Sequence, residues 1–243
     1  GGKLTDGAPM YRVAPQKATD ETLAEMQRYR DQGYRQFQIK VGGDWATDID
    51  RILAGVDLLQ PGEKAMADAN QGWRVDNAIR VARATKDLDY ILEQPCRTYE
   101  ECQQVRRVAP QPMKLDECVT GMAAAQRIVA DRGAEICCLK LSNLGGLSKA
   151  RRVRDFLVEN RIPVVSEDTW GGEITTSVVA HFAASTPPEY LQNTTDLMNY
   201  NTRSTGIGGA WAENGKLYAP DTPGLGVTPD FDSLGDPVAE YAA

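Results

Sequence analysis

Six ionisable residues recur along this 243-residue chain at a nearly regular step: Lys40, Asp68, Glu93, Asp116, Lys140 and Asp168. By subtraction, the gaps are 28, 25, 23, 24 and 28 residues. Each residue ends a short apolar run and stands just before turn residues. Three carboxylates lying between two lysines imply a particular chemistry. Converging acids cannot all stay ionised away from water without a cation. Oxygen-only donors, with no His or thiolate at matching positions, favour Mg²⁺ over zinc or copper. Asp68, Glu93 and Asp116 are therefore the expected metal ligands. Asn70, two residues beyond Asp68, and Glu117, a rival of its neighbour Asp116, are expected in the shell that orients those ligands. Lys40 and Lys140 would lie on opposite sides of the metal. A nearby divalent cation disfavours a lysine's charged form and moves its pKa towards a range useful for base catalysis. Two such lysines can take a proton from one face of a carbon and return one to the other. Taken singly, each of these residues reads as a solvated surface charge; the case rests on their shared spacing.

A step of roughly 25–30 residues is the length of one strand, one helix and their loops in a (β/α) barrel. In such barrels the C-terminal ends of the strands form the face that carries the chemistry. The apolar runs supply eight strands: Pro9 to Ala14, Phe37 to Val41, Ala65 to Asn70, Tyr90 to Pro95, Met113 to Glu117, Glu135 to Leu141, Ile162 to Asp168 and Glu189 to Asn193. Between them lie seven segments of helical periodicity. Thr19-Asp20 reads as the N-cap of the first and Gly33 as its stop. Near-continuous apolar strands alternating with helices of 10–15 residues predict a parallel (β/α)7β barrel over residues 8–194. Residues 1–7 read as a linker. Residues 195–243 lose periodicity and read as a wrap anchored by Trp211, Tyr218, Leu225, Val227 and Phe231.

Bulk properties narrow the function class. The net charge of −7 argues against a nucleic-acid partner. No apolar run approaches the roughly 20 residues that span a bilayer, and no signal peptide is visible. The five cysteines (Cys96, Cys102, Cys118, Cys137 and Cys138) are odd in number and form no CxxC, so reduced thiols in a cytoplasmic protein are expected.

The motifs QIKVGGD (Gln38 to Asp44), ADAN (Ala67 to Asn70), EQP (Glu93 to Pro95), LDE (Leu115 to Glu117) and LKLSNLGGL (Leu139 to Leu147) resemble the barrel domain of the enolase superfamily. The resemblance is to the mandelate racemase/muconate lactonizing enzyme branch and covers essentially the whole chain. It implies Mg²⁺ on Asp68, Glu93 and Asp116, a substrate carboxylate on the metal, and Lys40 and Lys140 as the acid/base pair. The metal would stabilise the enediolate left when the α-proton departs. Two departures stand out. That branch often carries a second lysine where this chain has Gln38. The histidine used by the mandelate racemases has no counterpart at the end of strand seven, because the one histidine, His181, falls inside a helical segment. The superfamily's N-terminal capping domain is expected to be absent from this chain.

The segments SEDTWGGEI (Ser166 to Ile174), NTTDLMNYN (Asn193 to Asn201) and PGLGVTPD (Pro223 to Asp230) resemble the subgroup acting on proline derivatives, the cis-3-hydroxy-L-proline dehydratases and hydroxyproline-betaine 2-epimerases. Trp170 could hold a substituted ammonium against its indole face, with Asp168 as a charge partner. The resemblance implies abstraction of the proton α to the carboxylate. Dehydration of cis-3-hydroxy-L-proline is the leading expectation and 2-epimerisation of hydroxyproline betaine or proline betaine the alternative. A Schiff-base aldolase built on one lysine leaves the carboxylates unexplained. A non-catalytic metal-binding barrel is the remaining reading. The expected partner is a small carboxylate substrate, and the resemblance implies a homo-oligomer.

Overall fold

The computed structural model describes residues 2–239. Eight parallel strands lie side by side in sequence order: β1 (Tyr11–Ala14), β2 (Gln36–Lys40), β3 (Lys64–Asp68), β4 (Ile91–Glu93), β5 (Met113–Leu115), β6 (Ile136–Lys140), β7 (Val164–Glu167) and β8 (Leu191–Thr194). Met10 bridges Thr194 in parallel and nearly closes the ring. Seven helices connect them: α1 (Thr19–Asp31), α2 (Trp45–Asp57), α3 (Val75–Ala84), α4 (Tyr99–Arg106), α5 (Met122–Asp131), α6 (Leu147–Glu159) and α7 (Glu173–Ala184).

Strand parity explains the layering. Phe37, Ile39, Ala65, Ala67, Leu92, Met113, Leu115, Cys137, Leu139 and Val164 join the main core between sheet and helices. Their alternates Tyr11, Met66, Ile91, Ile136, Cys138 and Val165 form a second cluster on the opposite face, inside the barrel. The chain therefore reads as continuously apolar because both faces are covered. Above this inner cluster, at the strand C-termini, the inward positions turn ionic.

Several boundaries differ from the sequence expectation. Strand one is split at Met10: Ala8–Pro9 pairs antiparallel with the tail and only Tyr11–Ala14 enters the barrel. The N-cap of α1 is Ala18, with Thr19 and Asp20 in the first turn, where an acid favours the helix dipole. Strand five ends at Leu115, and Pro188–Tyr190 is a 3-10 turn that delays β8 to Leu191. The tail is more regular than its composition suggests. β9 (Gly206–Gly208) pairs with β12 (Val227–Pro229), and β10 (Trp211–Glu213) pairs with β11 (Lys216–Tyr218), followed by the short helix α8 (Phe231–Leu234). The tail is tied to α7: Thr205 N donates to Glu173 Oε2 (2.9 Å) and Ala210 N to Ser177 Oγ (3.0 Å). Of the expected anchors, Phe231 is 74% exposed and Trp211 stacks on Tyr218 at the surface, with ring centroids 5.2 Å apart. The five cysteines are free thiols. Among the described residues, no helix is long and apolar enough to cross a membrane.

The loop after β2 is fastened by one buried acid. Asp48 accepts from Gly42 N (2.9 Å), Gly43 N (2.8 Å), Trp73 Nε1 (3.0 Å) and the Arg51 guanidinium. Gly42 has φ +101°, and a Cβ there would stand 2.2 Å from Ala69 O, so a side chain is excluded. Asp48→Ala would leave the buried Arg51 guanidinium without its counter-ion and three further donors unpaired. It is expected to cost about 3–5 kcal/mol, measured by urea unfolding.

Candidate active site

The parallel register brings the spaced residues together. Lys40 pairs with Asp68, Asp68 with Glu93, and Glu93 with Lys114 on neighbouring strands; Lys140 pairs with Glu167 across β6 and β7. Asp116 follows immediately after β5. All five residues predicted for metal and proton chemistry therefore sit on one rim. Asp68, Glu93 and Asp116 are 1%, 0% and 3% exposed, whereas Lys40 and Lys140 keep a path to solvent.

Each of these three acids contacts its own ammonium. Lys40 Nζ donates to Asp68 Oδ2 and, at 2.8 Å, to Asn70 Oδ1. Lys140 Nζ donates to Asp116 Oδ2 (2.5 Å) and lies 3.8 Å from Glu167 Oε1. Glu93 Oε1 is 2.7 Å from Lys114 Nζ, an ion contact without the angles of a directed hydrogen bond, and its Oε2 accepts from Gln38 Nε2 at 2.9 Å. Four acids (Asp68, Glu93, Asp116 and Glu167) thus face three lysines. Burial, then the charge of Glu93, push Asp68 up to about 7; burial, then Glu167, push Asp116 up to about 8. Burial also opposes ionisation of Glu93, but Lys114 and Lys40 outweigh it and hold that carboxyl below its ordinary value. The lysines differ from expectation. Burial lowers both, yet the surrounding acids more than compensate: Asp68 and Glu93 raise Lys40, and Glu167 and Asp116 raise Lys140. The expected depression comes from a cation's charge, and the acids alone act in the opposite sense.

The donor set fits a hard divalent cation. It consists of carboxylate oxygens, and Asp116 Oδ1 is buried with no hydrogen-bond partner. Asp116, Cys138 and Glu167 bring ligand atoms within 4.8 Å of one another, a grouping that includes one expected ligand. A buried thiol pushed well above its ordinary value makes Cys138 the poor member of that trio for Mg²⁺.

The supporting residues are arranged around this rim. Asn70 N caps Asp68 Oδ1 (2.8 Å), and Asn70 Nδ2 donates to Glu117 Oε1 (3.2 Å). This joins the two residues expected behind the ligands. Asp168 turns away from Lys140: it accepts from Thr169 N (2.7 Å) and from Ser142 N and Oγ, bracing the loops after β6 and β7. Trp170 is 62% exposed beside Tyr200, with ring centroids 6.0 Å apart. His181 lies within α7 and is half-buried.

Three participants escaped the spacing argument. Glu167, one residue before Asp168, faces Lys140 and accepts from Tyr11 OH at 2.7 Å. Lys114 lies beneath Glu93. Gln94, in the left-handed region at φ +33°, accepts from Asp116 N through Oε1 (2.9 Å) and donates to Cys118 Sγ (3.0 Å). Parity would have found Lys114, two residues before Asp116 and so on the same face.

Residues 21–233 match the family model described as Enolase C-terminal domain-like. The chain belongs to that family. Over its whole length it is 42% identical to a cis-3-hydroxy-L-proline dehydratase from Roseibium aggregatum and spans 66% of that relative. A crystal structure of a mandelate racemase/muconate lactonizing enzyme from Roseovarius nubinhibens ISM superimposes with a TM-score of 0.95 at 78% identity, covering all of this chain and 68% of that one. A second enolase-superfamily structure from the same organism, complexed with magnesium, is 31% identical, with a TM-score of 0.95 over all of this chain and 66% of that one. The chain therefore spans about two thirds of the relatives it matches. The enolase-type barrel expected from the motifs is the observed fold.

Proposed function

We propose that this barrel is the catalytic domain of a Mg²⁺-dependent enzyme that abstracts the proton α to a carboxylate, and that its reaction is dehydration of cis-3-hydroxy-L-proline. The observation that carries the reaction class is the placement of Lys40 and Lys140 either side of Asp68, Glu93 and Asp116 on one rim. The 42% identity to a dehydratase supports the substrate. Asp68, Glu93 and Asp116 would hold the ion. Mg²⁺ supplies positive charge that binds the substrate carboxylate and lowers the cost of the negative charge created as the α-proton leaves.

The chain's own part is proton transfer. One lysine, with Nζ neutral, takes the proton from Cα. The electron pair of that C–H bond forms the Cα–C3 double bond as the C3–O bond breaks, and the resulting enamine tautomerises to the cyclic imine by losing the proton on nitrogen and gaining one at C3. The ammonium so formed returns a proton to the departing hydroxide, which leaves as water, and one lysine can serve both steps in a syn elimination. The opposite lysine completes the charge balance around Asp68 or Asp116. A second reading, 2-epimerisation of hydroxyproline betaine or proline betaine, is favoured by two features: lysines on both sides of the site, and the exposed indole of Trp170 beside Tyr200, a surface suited to a quaternary ammonium.

Proton NMR of the full-length protein in D₂O with Mg²⁺ tests both readings. Loss of the cis-3-hydroxy-L-proline spin system with appearance of a cyclic imine is the expected result. Deuterium at Cα of hydroxyproline betaine together with the second diastereomer would instead establish the epimerase. No exchange with either compound would sink the proposal.

A further inference from the structure

Lys114 is fully buried in the barrel interior, an unusual place for an ammonium. It does not reach the solvent-facing rim where Lys40 and Lys140 sit. Its Nζ lies 2.7 Å from Glu93 Oε1 and 5.5 Å from the Tyr11 ring centroid. Tyr11 in turn donates to Glu167, which faces Lys140. On the other side of Glu93, Gln38 Nε2 holds Oε2. The carboxylate is thus gripped from below by two side chains from different strands, one charged and one neutral. An apolar side chain of similar volume would fill the barrel at lower desolvation cost, so packing alone does not account for a lysine here.

We propose that Lys114 is the positioning residue for Glu93: from β5 it supplies the fixed positive charge that orients this carboxylate towards the rim, while Gln38 supplies only a hydrogen bond. The proposal rests on the Mg²⁺ reading above. Its logic differs from that of the rim lysines. Lys40 and Lys140 contact Asp68 and Asp116 from the open side, where they compete with a cation. Lys114 contacts Glu93 from the closed side, where it supports one. Removing a residue that orients a metal ligand from behind typically costs 10–100-fold in metal affinity.

The test is a charge transfer between strands, read as Mg²⁺ affinity by calorimetry on the full-length protein, with thermal unfolding alongside. Lys114→Met is expected to weaken Mg²⁺ binding about 10–100-fold. Gln38→Lys combined with Lys114→Met puts the ammonium back on Glu93 from β2, and is expected to recover affinity to within about threefold, together with turnover. Gln38→Lys alone crowds two ammonium groups on one carboxylate and is expected to weaken binding. Lys114→Met with a lower melting temperature but unchanged Mg²⁺ affinity would show a merely structural lysine and overturn the proposal. Failure of the double variant to recover affinity, or tighter binding by Gln38→Lys alone, would also overturn it. The Gln38→Lys result is read even if Lys114→Met does not fold. A wild-type protein that binds no Mg²⁺ would instead overturn the metal reading on which the proposal rests.

Discussion

Lys140→Met lowers kcat by about 10²–10⁴-fold, the range for loss of a positioned acid/base group, and Lys40→Met does the same for any reaction that uses both faces of the carbon. The pattern across the two variants carries more than the size. In a one-base dehydration, a single lysine is indispensable for exchange of the α-proton with D₂O, and the variant of the other keeps exchange. In a two-base epimerisation, each variant loses exchange from one diastereomer and keeps it from the other. Measuring deuterium incorporation for each variant therefore separates the two reactions even where turnover is unmeasurable. Mg²⁺ affinity is the control. Each substitution removes a positive charge that contacts an expected ligand from the open rim, Asp68 for Lys40 and Asp116 for Lys140. Neither should weaken Mg²⁺ binding. Loss of activity that tracks loss of bound Mg²⁺ would mean that the lysines serve only to hold the site together.

The barrel was legible because its period is imposed by geometry: a strand and its return helix need a nearly fixed length, and the rim residue of each unit recurs with it. The shared rim position of Asp68, Glu93, Asp116, Lys40 and Lys140 follows from that period. What stayed hidden depends on which way a side chain turns. Asp168 keeps the regular step, yet β7 ends one residue earlier, so Glu167 takes the inward position opposite Lys140. Asp168 is left to the loop, where Ser142 and Thr169 occupy its carboxylate. A one-residue ambiguity at a strand end is enough to exchange an inward for an outward residue. Lys114 was hidden for a different reason. A lysine within an apolar strand suggests solvent, and only the register that sets it against Glu93 makes its burial tolerable. The tail shows no periodicity in sequence because its strands are three residues long, too short for a period to appear.

Without divalent metal, the protein becomes less stable as pH rises from about 5 to 8, and Mg²⁺ abolishes that decline. The sign follows from the two buried aspartates. Their ordinary value is 3.8, and in the folded protein Asp68 is pushed up to about 7 and Asp116 to about 8. Between those limits the folded state binds more protons than the unfolded one, so unfolding free energy falls with increasing pH. The rim lysines add nothing in this window. Their folded values are raised from 10.5, so the stability they contribute is fully present below that pH and is lost only above it. The acids held low at the surface or in partial burial, such as Glu63 and Glu173, act in the opposite sense and below about pH 5. Binding of Mg²⁺ requires the ionised carboxylates, so it displaces whatever protons they carry. Affinity should therefore fall by about tenfold per pH unit below about 7 for each proton displaced. Thermal unfolding from pH 5.5 to 8.5, with excess chelator and then with saturating Mg²⁺, measures both halves. A metal-free protein whose melting temperature climbs across that range would mean that Asp68 and Asp116 are already ionised at pH 5. The four acids facing three lysines would then be compensated by something other than shared protons, and Mg²⁺ affinity should show no pH dependence in the same range.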